Sequence, residues 1–199
     1  MNVLLVNNDT EPENWDQLQK IVTAAGYNVS PIHHSAIGAI DPRGYDLTIL
    51  SGGWWASDQD VSEVLTIYAE ELRFIEDTPI PIMGICVGML LMHTAMDQAA
   101  PLLDEMQYGH KEIDVNIAGQ MLFGFPEKIS VFKNHDRAVI ETDPNFEVFA
   151  SSNVCTEIML HKVKPLLGVQ FHPEVGETDQ AVTMLKTLVD GLMRIPIKQ

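Results

Sequence analysis

The chain has 199 residues, 46% of them hydrophobic, with 28 acidic against 12 basic side chains and a formal net charge of −16. This length and apolar content suit one domain over residues 1–199. No run of about 18 apolar residues offers a membrane span, and so acidic a surface repels phosphate backbones, so neither membrane nor nucleic acid is an expected partner.

The chain opens on Val3-Leu4-Leu5-Val6, which has no basic region or cleavage pattern and reads as a first strand rather than a signal peptide. Further strands are expected at 28–32, 47–50 and 80–85, with helices at 14–25, 58–76 and 89–96. From about residue 111 to 160 the pattern changes to short strands separated by turns such as Asp143-Pro144-Asn145. A last apolar run at 166–171 reads as a buried strand, and 178–193 as the closing helix. Alternating strands and helices predict an α/β fold: an open, mostly parallel sheet with helices on both faces, plus a small antiparallel β-rich part. A ligand site then belongs at the carboxyl ends of the strands. Two cysteines, Cys86 and Cys155, imply no disulfide framework and a reducing, cytoplasmic setting.

The chemistry concentrates in Pro81-Ile82-Met83-Gly84-Ile85-Cys86-Val87-Gly88-Met89-Leu90. An apolar strand that turns through small residues into a helix is a nucleophile elbow, here with Cys86 where hydrolases carry Ser. The turn lifts the side chain clear of the sheet, and the helix N-terminus behind it favours the thiolate. Alone, such a cysteine reads more often as a buried core residue. The second stretch, Gly168-Val169-Gln170-Phe171-His172-Pro173-Glu174, changes that. Residues two apart on extended backbone share a side, so Glu174 can hold one imidazole nitrogen of His172 while the other faces a nucleophile. Nucleophile, base and orienter together form the generalised triad.

G-I-C-x-G-M followed by G-V-Q-F-H-P-E resembles the class I (triad) glutamine amidotransferases. Leu50-Ser51-Gly52-Gly53 is similar to the family's S-G-G loop, Tyr108-Gly109-His110 to its Y-G-H segment, and Asn134-His135-Asp136 to its S-H-x-D turn. The resemblance runs from residue 2 to 192, and over 131–175 it is to the amidotransferase part of GMP synthetases. It implies a flavodoxin-like amidotransferase fold. It also implies that Cys86 attacks the glutamine side-chain amide, that His172 relays the proton and that Glu174 orients it. The oxyanion hole would use the N–H groups of Gly53 and Val87, which suits a donor just after the nucleophile and another from a Gly-rich loop. Gly52, Leu90, Asn134 and His135 fall at the substrate-binding positions.

Two departures from the family pattern stand out. Leu90 replaces the family Gln four residues after the nucleophile, and Trp54 and Trp55 follow S-G-G where Pro is usual. Adjacent tryptophans are costly to expose: they wall the substrate pocket, meet a partner, or one packs on the core.

Other features read more blandly. His33-His34 is a loop pair rather than a metal site, without C-x-x-C or H-E-x-x-H company. His93 reads as a buried, hydrogen-bonded histidine, and Met83, Met89, Met92 and Met96 as gap-fillers in the core. Glu70, Glu71, Glu76 and Asp77 read as a solvated helix end. Neither a Walker loop nor G-x-G-x-x-G follows the first strand, so no ATP site, metal or other cofactor is expected.

Three function classes stay open. The first is an amidotransferase subunit that hydrolyses glutamine and feeds ammonia to a separate synthetase. The chain stops soon after its last helix, which fits the absence of a fused acceptor domain. The second is a stand-alone cysteine hydrolase acting on a γ-glutamyl or related glutamine-like amide, which Leu90 favours. The third is a non-catalytic relative, against which Cys86, His172 and Glu174 argue.

Overall fold

The structure, a computed structural model, describes residues 1–8, 12–53, 55, 61–96, 98 and 100–195. The amino-terminal half runs β1 (Asn2–Asn8), α1 (Pro12–Ala24), β2 (Asn28–His33), two 3-10 turns (His34–Ala39 and Pro42–Gly44), β3 (Leu47–Gly53), α2 (Val61–Ile67), α3 (Ala69–Asp77), β4 (Ile82–Ile85) and α4 (Val87–Thr94). The remainder is β5 (Leu102–Val115), α5 (Ile117–Phe123), β6 (Lys128–Arg137), β7 (Phe146–Ser151), β8 (Thr156–His161), β9 (Leu166–Val169) and α6 (Thr178–Met193).

The strands form one sheet in the order β2-β1-β3-β4-β9-β8-β7-β5-β6. From β2 to β9 all neighbours are parallel, and from β9 onward all are antiparallel. The central parallel strands are unbroken apolar runs because both their faces are covered; Val3 to Val6 in β1 are fully buried. The step from β1 to β2 and the step from β3 to β4 run in opposite directions across the sheet. Right-handed crossovers therefore put α1 on one face and α2 and α3 on the other. Accordingly α1 and α5 pack on α6, while α2 and α4 pack on α3. No helix among the described residues is long and apolar enough to cross a membrane.

The expected α/β class holds. The antiparallel part extends the main sheet, and β5 is fourteen residues long. Three details differ. Helix α5 was not expected, although its signals are in the chain: the Asn116 side chain accepts from Gly119 N, and Gly124 closes the helix at φ 74°. The single helix expected at 58–76 is two, divided at Tyr68, whose buried ring lies 4.6 Å from that of His34. The acidic helix end is not uniformly solvated: Glu71 is 0% exposed. It shares the inward stripe of α3 with Leu72, Phe74 and Ile75.

The curl of the sheet brings its far strands back toward the carboxyl end of β4. Gln170 N donates to Glu157 O of β8, and His172 N donates to Phe132 O of β6, both at 2.9 Å. The segment leaving β9 is thereby pinned between two strands beside that end.

Candidate active site

Strand β4 delivers Cys86 directly into α4. The residue takes φ 49°, ψ −105°, and among the described residues it is the one non-glycine with positive φ. Such backbone costs of order 1–3 kcal/mol and is held only where its surroundings over-determine it. Here Cys86 N donates to Val169 O at 2.8 Å, and Leu90 N donates to Cys86 O at 3.1 Å. The flanking glycines admit no side chain: a Cβ on Gly84 would lie 2.6 Å from Gly88 C, and one on Gly88 would lie 2.7 Å from Leu50 O.

His172 reaches the elbow from β9. The strand itself ends at Val169, so Gln170 to Glu174 form a bent segment rather than the strand end expected. Its Nδ1 and Glu174 Oε1 share a hydrogen bond of 2.7 Å. Glu174 is fixed in turn by α1, where Gln17 Nε2 donates to its backbone oxygen at 2.9 Å. Cys86 lies beside the same ring. Burial opposes a charge on His172, but the Glu174 carboxylate and then the Cys86 sulfur outweigh it, so its pKa stands well above the ordinary 6.5. The triad residues named from the sequence are therefore together.

The expected oxyanion residues flank them. Val87 is the first residue of α4 and Gly53 the last of β3. A Cβ on Gly52 would come within 2.8 Å of His172 Cε1 and 3.6 Å of Cys86 Cβ, so the strand end lies against both.

The substrate-binding positions divide. Leu90 is 2% exposed, one turn into α4, and helical side chains lean back over the preceding turn, here toward Cys86. His135 is buried on β6, close enough to His172 to feel its charge, and its Nδ1 hydrogen-bonds Arg137 O at 3.0 Å. Burial first, then Lys133, pushes its pKa down to about 4. Asn134 is exposed on β6, opposite Tyr108 of β5. The segment 134–136 is strand rather than the turn expected from the resemblance. Trp54 lies outside the described residues. Trp55 is buried in the core, with the Arg137 guanidinium 5.2 Å from its ring centre.

One residue of the site was not picked out from the sequence. Gln170 is 0% exposed, its Nε2 donates toward Cys86 Sγ at 3.9 Å, and its Oε1 has no donor. Its one signal in the sequence was its place two residues upstream of His172, although the segment there is bent rather than extended strand. The other thiol differs in kind. Cys155 donates to Glu157 Oε1 at 3.2 Å beside the buried Lys133–Glu157 ion pair, and burial pushes its pKa up to about 12. The bland readings of His93 and the methionines agree with the structure. His93 is buried and accepts from Asp143 N, and Met83, Met89 and Met92 are fully buried. No group of three or more potential metal ligands occurs among the described residues.

Residues 8–191 match the family model described as glutamine amidotransferase class-I. The chain belongs to that family. Among its relatives in the class I amidotransferases, a glutamine-hydrolyzing GMP synthase subunit of Methanococcus aeolicus is 34% identical over 120 residues. That match covers 59% of this chain and 64% of the relative, just under two thirds. The subunit of the same name from Pyrococcus abyssi is 31% identical over 160 residues, covering 80% of this chain and 79% of its own. A crystal structure of a glutamine amidotransferase from Thermotoga maritima superposes with a TM-score of 0.80 over 98% of this chain and 99% of that one. At 16% identity that likeness concerns the fold.

Proposed function

We propose that residues 1–199 form one amidotransferase domain that hydrolyses the side-chain amide of glutamine and supplies the ammonia to a separate synthetase subunit. The observation that carries the reading is the 2.7 Å contact of His172 with Glu174 beside a strained, thiol-bearing elbow. Membership in the amidotransferase family and likeness to proteins named as glutamine-hydrolyzing subunits of GMP synthase support the substrate and the partner.

In this mechanism Cys86 Sγ attacks the amide carbon of glutamine, and the carbonyl oxygen takes up the negative charge. Backbone N–H groups of Gly53 and Val87 donate to that oxygen, a contribution typically worth 10²–10³-fold per donor. His172, holding the thiol proton, passes it to the amide nitrogen, the C–N bond breaks and ammonia leaves a γ-glutamyl thioester. His172 then takes a proton from water, whose oxygen displaces the sulfur to give glutamate. Glu174 keeps the ring oriented and steadies its positive charge, and Gln170 Nε2 stabilises the sulfur between steps.

A second reading is favoured by Leu90. Leucine gives no hydrogen bond to a polar substrate end, which suits a γ-glutamyl compound with an apolar extension and a hydrolase needing no partner. Purified protein should release glutamate from glutamine slowly, and faster with its synthetase subunit present; Cys86→Ala should abolish both rates. Full activity on a γ-glutamyl amide without any partner would replace the first reading with the second.

A further inference from the structure

The mechanism leaves a buried acid unused. Glu71 Oε1 accepts from Asn8 Nδ2 at 3.0 Å, and Asn8, at the end of β1, is itself buried. The same Nδ2 donates to Ser51 O at 3.3 Å, and Asn8 N donates to Ser51 Oγ at 2.9 Å. Ser51 Oγ in turn donates to Gly52 O at 2.6 Å. Across the sheet Asn8 stands opposite Gly53, so close that a Cβ there would lie 2.1 Å from Asn8 O. Asn8 thus holds the end of β3 through Ser51 and by close packing against Gly53, and Glu71 grips Asn8.

Two oxygens in this contact are unaccounted for. Asn8 Oδ1 and Glu71 Oε2 are both buried with no donor among the described residues. Buried acceptors without a donor are costly. A single proton on Glu71 would resolve both, with Oε2–H donating to Asn8 Oδ1 while Oε1 still accepts from Nδ2. Acid and amide then satisfy one another as a closed pair.

We propose that Glu71 is held as the neutral acid and, through Asn8, is the positioning residue that fixes the Ser51-Gly52-Gly53 strand end at the oxyanion. Burial acts in the same direction, pushing its pKa up to about 8 against the opposing Asn8 hydrogen bond. The proposal rests on the reading of Gly53 as an oxyanion donor. Glu71 touches neither substrate nor sulfur.

The test compares Glu71→Gln, which keeps both hydrogen bonds to Asn8, with Glu71→Leu, which keeps neither. Glu71→Gln should hold kcat within about twofold of wild type, and Glu71→Leu should lower kcat by roughly 10–100-fold with KM little changed. Infrared difference spectra of wild type minus Glu71→Gln near pH 6.5 should show the carbonyl band of a protonated carboxylic acid. If Glu71→Leu loses thermal stability but keeps kcat, Glu71 is merely structural. Equal losses of kcat in both variants, or no acid band, would also overturn the proposal. The spectrum stands even where Glu71→Leu does not fold. Failure of wild type to hydrolyse any amide would remove the functional reading instead, while the band would still report on the Glu71–Asn8 pair.

Discussion

Gly52 and His172 are packed so closely that the smallest added side chain on Gly52 would overlap the imidazole, with 2.8 Å between Cβ and Cε1. The imidazole is therefore positioned from two sides, by the Glu174 carboxylate on Nδ1 and by bare backbone against the ring edge. Gly52→Ala should swing the imidazole away from Cys86. A displacement near 1 Å can cost about 10²-fold in rate. The expected outcome is a loss of that order in kcat/KM with the fold retained, checked by steady-state kinetics alongside circular dichroism.

The two cysteines should respond oppositely to electrophiles. Cys155 is buried, bonded to Glu157 and shifted up to about 12 in pKa, so it holds its proton and stays unreactive. A chloroketone analogue of glutamine should label Cys86 alone, as read by intact-protein mass spectrometry of Cys86→Ala and Cys155→Ala. Label persisting in Cys86→Ala and vanishing in Cys155→Ala would remove Cys86 as the nucleophile.

His172 carries the general acid and base work in the mechanism, so His172→Ala should cost roughly 10²–10⁴-fold. Glu174 is the strongest influence raising the His172 pKa. Removing its charge in Glu174→Gln makes the imidazolium less stable and lowers that pKa. The alkaline limb of kcat/KM should therefore move to lower pH, with a smaller loss at the optimum than His172→Ala shows. An unmoved limb would mean that another group sets the charge of the ring.

Leu90 separates the two functional readings. A hydrogen bond to a charged group contributes roughly 1.5–3 kcal/mol. With free glutamine as substrate, Leu90→Gln should lower KM or leave it unchanged. With a substrate bearing an apolar group there, the same change should impair its turnover and improve glutamine hydrolysis. The measurement is kcat/KM for glutamine and a γ-glutamyl amide in both proteins; parallel changes would clear Leu90 of any part in specificity.

Glu71 makes stability depend on pH in a defined direction. In the unfolded chain its carboxyl ionises near its ordinary 4.5, whereas in the fold it keeps its proton to about 8. Between those values the native state binds the extra proton, so this group's contribution falls as pH rises, by about 1.4 kcal/mol per unit. Glu71→Gln has no such proton. Urea unfolding at about pH 5 and about pH 8 should show the variant gaining on wild type toward the higher pH, and a constant difference would contradict a raised pKa.

The sequence made the alternation of strands and helices legible because apolar runs and caps are local signals. The 178–193 helix agrees with α6 at both ends. Cys86 was legible because a strand–helix turn is a local signal, and His172 and Glu174 because they lie two residues apart just after an apolar strand, although the segment that carries them is bent rather than extended. Glu71 was not legible, since charge alone assigns it to solvent; its i+3 and i+4 relation to Phe74 and Ile75 placed it on the buried stripe. The course of β6 was hidden for a different reason. Its closure onto His172 depends on Phe132 O meeting a backbone N–H forty residues away in sequence, and no local pattern records such a pairing.

The dihedral angles at Cys86 carry a cost that the rest of the fold absorbs. Glycine is the residue for which φ 49°, ψ −105° is ordinary backbone. Cys86→Gly would relax the turn and, on that account, yield a protein harder to denature and, under the proposed mechanism, chemically inert. The wild-type chain keeps the less comfortable residue. Under the proposed mechanism, resistance to unfolding and catalysis pull the sequence in opposite directions at this position, and a thiol in so disfavoured a conformation serves the second.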